Sequence, residues 1–133
     1  MFCKRGTDGS AKATLAASAG NHAHGCVFIM AAREKTWLDD VEGLGVGYEE
    51  RLVRVHAQDG EIDAFTYIAA STHVDSTLRP YDWYAALVCA GAREHGLPTS
   101  ITERYGSVDT IPDPDGSRAA RHWAILSGTD WAT

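Results

Sequence analysis

The stretch YEERLVRVHAQDGEIDAFTYIAA, residues 48–70, decides the fold that the sequence predicts. Its first half alternates apolar residues such as Val53 and Val55 with polar residues such as Arg54, which is the period of a strand with one buried face. An Asp-Gly pair at positions 59 and 60 comes next, and such a pair favours a tight hairpin turn. The second half, rich in aromatic and β-branched residues, supplies the returning strand. The sequence therefore predicts a two-stranded antiparallel hairpin.

A short helix is predicted immediately before this hairpin. Residues 31–43 read AAREKTWLDDVEG, a run of helix formers that meets a glycine at position 43, and glycine commonly follows the end of a helix. We therefore expect the helix to end near Glu42. The glycines at positions 43, 45 and 47 lead into a strand, whereas a dinucleotide-binding glycine motif leads into a helix. They are expected to supply positive φ angles or to let the backbone approach a ligand.

Two further helices are predicted after the hairpin. Pro80 suits the first turn of a helix, and the segment YDWYAALVCAGAREHG at residues 81–96 carries apolar side chains at helical spacing. Pro98 is expected to start a second, shorter helix that runs toward Tyr105. The residues after about 107 contain two of the four prolines and predict a loop-rich tail.

The start of the chain predicts two more strands. A turn rich in Gly, Thr and Asp precedes a short strand at residues 13–17, and an apolar run at residues 25–30 predicts a second strand that pairs with it. Strands joined by hairpins, with helices between them, predict an α+β fold. We expect a small mixed, mainly antiparallel β-barrel with flanking helices.

Composition narrows the classes of function. At 133 residues, with 44% hydrophobic and 23% charged residues, the chain is predicted to form a single domain over residues 1–133. A net charge of −6 argues against nucleic acid and anionic membranes as partners. The basic residues near the start, Lys4, Arg5 and Lys12, are interpreted as a solvated strand edge.

The cysteines and histidines indicate neither a disulfide framework nor a metal centre. The three cysteines are far apart and form no CxxC pair, so a reducing cytoplasm is the expected location. No secretory leader and no long apolar run is found in the sequence. His22 and His24 in a predicted turn are too few to hold a metal ion by themselves, and no metal site is predicted.

Glu42 is the residue from which chemistry is expected. The carbonyl end of a helix concentrates negative potential, which would raise the proton affinity of a carboxylate placed there. A carboxyl group with a raised pKa can accept and return a proton near neutral pH, as general acid/base catalysis requires. Asp39 and Asp40 face other directions on the helix and are not expected to pair with it. The alternative is a solvated glutamate in the last turn of a helix.

Three segments resemble, in order, the γ-glutamylcyclotransferase family. They are LDDVEGLGVGY at residues 38–48, AFTYIA at 64–69 and YAALVCAGAREHGLP at 84–98. Two pieces are specific: the Leu-Asp-x-x-Glu-Gly run followed by Gly-Tyr, and the Gly-Ala-x-Glu-x-Gly-Leu-Pro end of the helix. The resemblance runs from about Phe2 to Tyr105.

This resemblance implies a small mixed barrel and an enzyme that converts γ-glutamyl-amino acids or amines to 5-oxoproline and a free amine, without metal or organic cofactor. It implies that Glu42 is the general acid/base. It also implies substrate-binding roles for Tyr48, Tyr84 and Gly43; for each tyrosine, a core ring with its hydroxyl at the surface is the alternative. The expected partner is a small γ-glutamyl substrate, and a homodimer stays open.

One part of the family pattern is missing from this sequence. Members of the family begin with a strand and a YGSN-type loop that helps to hold the glutamyl group, and no such run precedes the first strand here. We therefore expect the chain to be N-terminally incomplete. The alternative function is a catalytically inactive remnant that acts as a binding or interaction module, because an unpaired sheet edge favours strand addition.

Overall fold

The computed structural model describes residues 1–128 as four helices and two separate two-stranded antiparallel sheets. The first sheet pairs β1 (Phe2–Arg5) with β2 (Ala11–Ala13), and the second pairs β3 (Tyr48–Ala57) with β4 (Gly60–Ala69). The helices are α1 (Ala32–Glu42), α2 (Asp82–Glu94), α3 (Thr99–Gly106) and α4 (Gly116–Ser127), and a 3₁₀ turn spans Ser71–His73. The predicted α+β class with antiparallel pairing is confirmed.

The predicted central hairpin and the helices around it are also confirmed. β3 and β4 pair from Tyr48 opposite Ala69 to Ala57 opposite Gly60, so the tight turn falls at the Asp-Gly pair. Gly60 takes a φ of 122°, which residues with a side chain rarely adopt. α1 ends at Glu42, and α2 and α3 occupy the two segments predicted to be helical.

The predicted strands at the start of the chain are wrong. The first hairpin lies further upstream, in β1 and β2, and Asp8 closes its turn by accepting hydrogen bonds from the backbone N–H and the hydroxyl of Ser10. Residues 25–30 form no strand, and Phe28 and Ile29 are 71% and 101% exposed. An apolar run becomes a strand only where a partner supplies hydrogen bonds to its backbone. No strand among residues 1–128 does so here.

No closed barrel is formed by the residues that the structure describes. The two sheets share no strand, because the segment at residues 25–30, expected to extend the first sheet, stays unpaired. Single hydrogen bonds join the sheets and their connections instead. The Ala69 N–H donates to the Thr14 hydroxyl at 2.9 Å, and the Asp75 N–H donates to the Cys3 carbonyl at 2.7 Å. The barrel prediction is therefore not confirmed.

Most of the buried apolar residues lie on or beside α2, with others in the first hairpin and in α3. Small side chains on the inner face of α2 let α3 and α4 approach its backbone closely. No helix in residues 1–128 is both long and apolar enough to cross a lipid bilayer. The buried side chains of α2 are Trp83, Ala85, Cys89, Ala90 and Ala92.

The loop-rich tail is wrong for its later part, where α4 forms. Two prolines keep the preceding residues out of a helix, and Asp115 then caps α4 by accepting a hydrogen bond from the Arg118 N–H at 2.9 Å. α4 packs on α2 because the ring of His122 stacks on Trp83, with centroids 3.8 Å apart. The prediction for residues 129–133 lies outside the described residues.

A buried carboxylate anchors α4. The side chain of Asp113 is 0% exposed, and its two oxygens accept hydrogen bonds from the Arg118 guanidinium at 2.7 and 2.6 Å. The indole N–H of Trp83 donates to the same carboxylate at 2.9 Å. The Arg118 guanidinium holds the pKa of this carboxyl well below its ordinary range, although burial alone would raise it. The charged pair therefore persists into acid.

Replacing Asp113 by Asn is expected to make the stability of the chain less sensitive to acid. A carboxyl whose pKa is lower in the folded chain stabilises the fold above its unfolded value of 3.8, and the contribution is lost as pH falls through the folded pKa. Urea denaturation from about pH 3 to pH 7 would give the free energy of unfolding across this window.

Asp109→Asn is the matched control, because Asp109 is exposed. It should lose stability in acid as the wild type does. Parallel pH profiles for Asp113→Asn and the wild type would contradict the expectation.

Candidate functional site

A compact turn at residues 43–47 brings the end of α1 next to the start of β3. Gly43 takes the left-handed conformation, with φ 65° and ψ 45°, and its N–H donates back to carbonyls of the last turn of α1. Gly45 also has a positive φ, 84°, and two later N–H groups of the turn return to the Gly43 carbonyl. Glu42 and Tyr48 are therefore held at the two ends of the turn.

The glycines of this turn meet two different requirements. A Cβ added at Gly43 would have no atom within 4 Å, so the need for glycine there is conformational. Gly47 is the position of close approach, because a Cβ there would lie 2.9 Å from the Nζ of Lys4. Substrate binding by Gly43 stays a prediction.

Two tyrosines hold one residue of β2 from opposite sides. The Tyr48 hydroxyl donates to the Ala13 carbonyl at 3.0 Å, and the Tyr84 hydroxyl accepts a hydrogen bond from the Ala13 N–H at 3.0 Å. Burial raises the pKa of both phenols above the ordinary tyrosine value, and the negative charge of Glu42 adds to the effect. Both hydroxyls therefore keep their protons at neutral pH.

The two hydroxyls differ in what they can still offer a ligand. Tyr48 uses its proton in the bond to Ala13, so only its lone pairs remain. Tyr84 accepts one hydrogen bond, and its own proton has no acceptor among residues 1–128. Tyr84 is thus a neutral hydrogen-bond donor within this group.

Lys4 completes the group, and sequence reasoning missed it. The sequence predicted a solvated strand edge here, but the residue is only 9% exposed. Its Nζ lies 4.5 Å from the centroid of the Tyr48 ring. Phe2 packs edge to face on Tyr84, with centroids 6.0 Å apart. No local pattern in the sequence could have revealed it, because the pairing register of β1 is irregular between Phe2 and Lys4.

The other basic residues of the first hairpin are already paired. The Lys12 Nζ donates to the Asp8 carboxylate at 2.8 Å and to the Ser10 hydroxyl at 2.9 Å. Burial would raise the pKa of Asp8, but the hydrogen bonds from Lys12 and Ser10 outweigh it and lower that pKa. Arg5 alone fits the expected exposed position, and it pairs with Asp75 at 3.1 Å.

The charge of Glu42 changes the pKa values of Lys4 and the two tyrosines, although Glu42 is not hydrogen-bonded to any of them. Its negative charge raises the pKa of Lys4 against the larger effect of burial, and it contributes to the raised pKa of each tyrosine. The side chain is half-buried. Within residues 1–128 its carboxylate accepts no hydrogen bond and forms no salt bridge. We call Glu42, Lys4, Tyr48 and Tyr84 together the Glu42 site. The Glu42 carboxylate is free to take a proton from a ligand.

Two cavities of the described residues are lined by residues other than Glu42. One, of about 420 Å³, lies between α2, α3 and α4 and is lined mostly by small residues. The other is a groove of about 830 Å³ that contains His22, His24 and Arg104. No three His, Cys, Asp or Glu side chains in residues 1–128 are close enough together to hold a metal ion. Neither cavity combines a carboxylate with neutral donors as the Glu42 site does.

Comparison with known proteins identifies the family. A profile of the AIG2-like family matches residues 22–104. The chain belongs to the AIG2-like family. The matched range contains Glu42, Tyr48 and Tyr84, whereas Lys4 lies before it.

The relatives of this AIG2-like chain include γ-glutamylcyclotransferases, which confirms the resemblance seen in the sequence. The γ-glutamylcyclotransferase of Homo sapiens is 32% identical over 99 residues, 73% of this chain and 51% of that protein. The chain thus spans about half the length of this curated relative.

Two solved structures share the fold. The crystal structure of an uncharacterized Homo sapiens protein superposes with a TM-score of 0.81 at 26% identity, covering 95% of this chain and 76% of that one. A γ-glutamyl cyclotransferase structure superposes with a TM-score of 0.64 at 26% identity, covering 75% of this chain and 58% of that one.

Replacing Tyr48 by Phe is expected to lower the free energy of unfolding by about 1–2 kcal/mol, because the Ala13 carbonyl loses its partner in a partly buried position. Urea denaturation would measure the change. Tyr105→Phe is the matched control, since its ring packs on Phe2 with centroids 6.2 Å apart and its hydroxyl has no partner in residues 1–128. Equal losses in the two variants would contradict the role given to the Tyr48 hydroxyl.

Proposed function

We propose that this chain cyclises γ-glutamyl-amino acids or amines to 5-oxoproline and releases the free amine, with Glu42 as the general acid/base. The observation that carries the proposal is an unbonded, half-buried Glu42 carboxylate whose charge reaches two protonated tyrosines and a lysine. The name of the human relative supports the reaction class. The free state of all three cysteines, Cys3, Cys26 and Cys89, supports the cytoplasm as the location.

The reaction requires two protons to leave the α-ammonium of the substrate. The first goes to Glu42, and the freed amine attacks the γ-carbonyl carbon to close a five-membered ring. The C–N bond to the leaving amine then breaks as Glu42 gives that amine its proton. The ring nitrogen gives its second proton to the regenerated Glu42 carboxylate, which passes it to the released amine or to solvent. Because nucleophile and carbonyl belong to one molecule, the protein mainly has to hold the glutamyl chain in a folded conformation.

The tyrosines have separate roles in this proposal. The carbonyl oxygen gains negative charge as the ring closes, and Tyr84 has a hydroxyl proton that no described residue accepts. Such a neutral, positioned donor suits a developing oxyanion. Tyr48 binds substrate through its ring and fixes β2 by its bond to Ala13. Gly43 lets the backbone of the turn face the glutamyl chain.

A binding module without catalysis is the second candidate. The segment at residues 25–30 forms no helix or strand, and it exposes the large side chains of Phe28 and Ile29. Such a segment could accept a strand from another protein. Measurement of product release separates this candidate from the first.

Replacing Glu42 by Gln is expected to abolish 5-oxoproline release from γ-glutamyl-alanine, because the amide cannot accept the proton. Its circular dichroism spectrum and melting temperature should match those of the wild type, since Glu42 has no bonded partner to lose within residues 1–128.

Asp40→Asn is the control for this experiment. It removes the same charge two residues earlier, from an exposed position on α1, and it should retain activity. Equal product release by Glu42→Gln and the wild type would refute the assigned role. A folded wild type that releases no 5-oxoproline would favour the binding module.

A further inference from the structure

We propose that Lys4 binds the α-carboxylate of the γ-glutamyl substrate, so that the Glu42 site accepts only compounds in which this carboxylate is free. The inference rests on the proposed function and deepens it by assigning the residue that recognises the α-carboxylate. Lys4 lies outside the range matched by the family profile, and its assignment depends on the structure of this chain alone.

Lys4 is a buried cation with no bonded partner. The residue is 9% exposed, and within residues 1–128 its ammonium donates no hydrogen bond and forms no salt bridge. Burial lowers the pKa of Lys4, and the charge of Glu42 opposes this effect. An ammonium taken out of water without hydrogen-bond acceptors is unfavourable. Such a group gains strongly from an anion that supplies them.

The ammonium of Lys4 has a defined position beside the turn that begins after Glu42. Its Nζ lies 4.5 Å from the centroid of the Tyr48 ring. A Cβ at position 47 would come within 2.9 Å of Nζ and 3.1 Å of Cε. A side chain at this position would therefore displace the lysine head group, which lies between the turn and the face of the Tyr48 ring.

The charges of the Glu42 site match the glutamyl end of the substrate. Glu42 and Lys4 feel each other's charge, yet no salt bridge joins them within residues 1–128. The α-carbon of a glutamyl group carries an ammonium and a carboxylate side by side. If Glu42 takes the proton of that ammonium, the carboxylate next to it can pair with a nearby cation. Lys4 is such a cation, and it has no bonded partner within residues 1–128.

The neighbouring cations are less suited to this role. Lys12 is already paired with the carboxylate of Asp8 and bonded to the hydroxyl of Ser10. Arg5 has a side chain that is 57% exposed, and it pairs with Asp75. Arg5 therefore provides a matched control that removes one positive charge from the adjacent residue of β1.

The test measures binding of 5-oxoproline and of its carboxamide by isothermal titration calorimetry, with wild type, Lys4→Gln, Lys4→Arg and Arg5→Gln. 5-Oxoproline keeps the carboxylate, and the carboxamide differs from it only there. Lys4→Gln should weaken 5-oxoproline binding by roughly 10- to 100-fold, the loss expected for a charge-assisted hydrogen bond. Lys4→Arg and Arg5→Gln should bind it nearly as the wild type does, and the carboxamide should not distinguish Lys4→Gln from the wild type.

A second variant distinguishes a loss of binding from a folding defect. Lys4→Met keeps the length and the apolar stem of the side chain, and it removes the unpaired charge, so its melting temperature should equal or exceed that of the wild type. It should nevertheless bind 5-oxoproline as weakly as Lys4→Gln. A drop in melting temperature that matches the loss of binding in both variants would overturn the proposal.

Other results of these experiments also test the role of Lys4. Unchanged 5-oxoproline binding in Lys4→Gln, or an equal loss for 5-oxoproline and its carboxamide, would overturn the role of Lys4. Failure of the proposed function appears separately, as a wild type that releases no 5-oxoproline from γ-glutamyl-alanine. Lys4-dependent binding by such a protein would support the carboxylate site while contradicting the catalytic proposal.

Discussion

The backbone of Ala13, held from opposite sides by two tyrosine hydroxyls, is the interaction on which the rest of the structure depends. Tyr48 begins β3 and donates to the Ala13 carbonyl, and Tyr84 on α2 accepts from its N–H. Two hydrogen bonds therefore join three elements that no continuous sheet connects. Glu42 lies one compact turn before Tyr48, and the same tyrosines sense its charge. The contact that assembles the fold also assembles the candidate site.

The charged groups of the molecule fall into two kinds. Asp113 with Arg118, and Asp8 with Lys12, are partly or fully buried and fully paired, and they brace α4 and the first hairpin. Lys4 and Glu42 are withdrawn from solvent without a bonded partner in residues 1–128. Unpaired charges of this kind reduce stability unless a ligand completes them. This contrast, more than the size of any cavity, is the reason why we propose the Glu42 site as the functional one.

Local signals in the sequence were sufficient to predict the elements that position Glu42. The alternation around Val53, the Asp-Gly turn and the glycine after Glu42 act within a few residues, so the central hairpin and α1 follow from them. Strand pairing is not local. The run at residues 25–30 has the composition of a strand but no partner among residues 1–128. The helix α4, which Asp115 caps, was not predicted because two prolines precede it. Lys4 was missed because burial depends on which face of β1 meets Tyr48.

A crystal structure of the wild-type chain with 5-oxoproline bound would test the central claim most directly, namely that Glu42, Lys4 and the two tyrosines form one site. The account predicts the carboxylate of 5-oxoproline within hydrogen-bond distance of the Lys4 Nζ, with the lactam ring beside Glu42 and the Tyr84 hydroxyl. Product bound in the groove beside His22 and His24, or a direct salt bridge between Lys4 and Glu42 that fills the space, would contradict it.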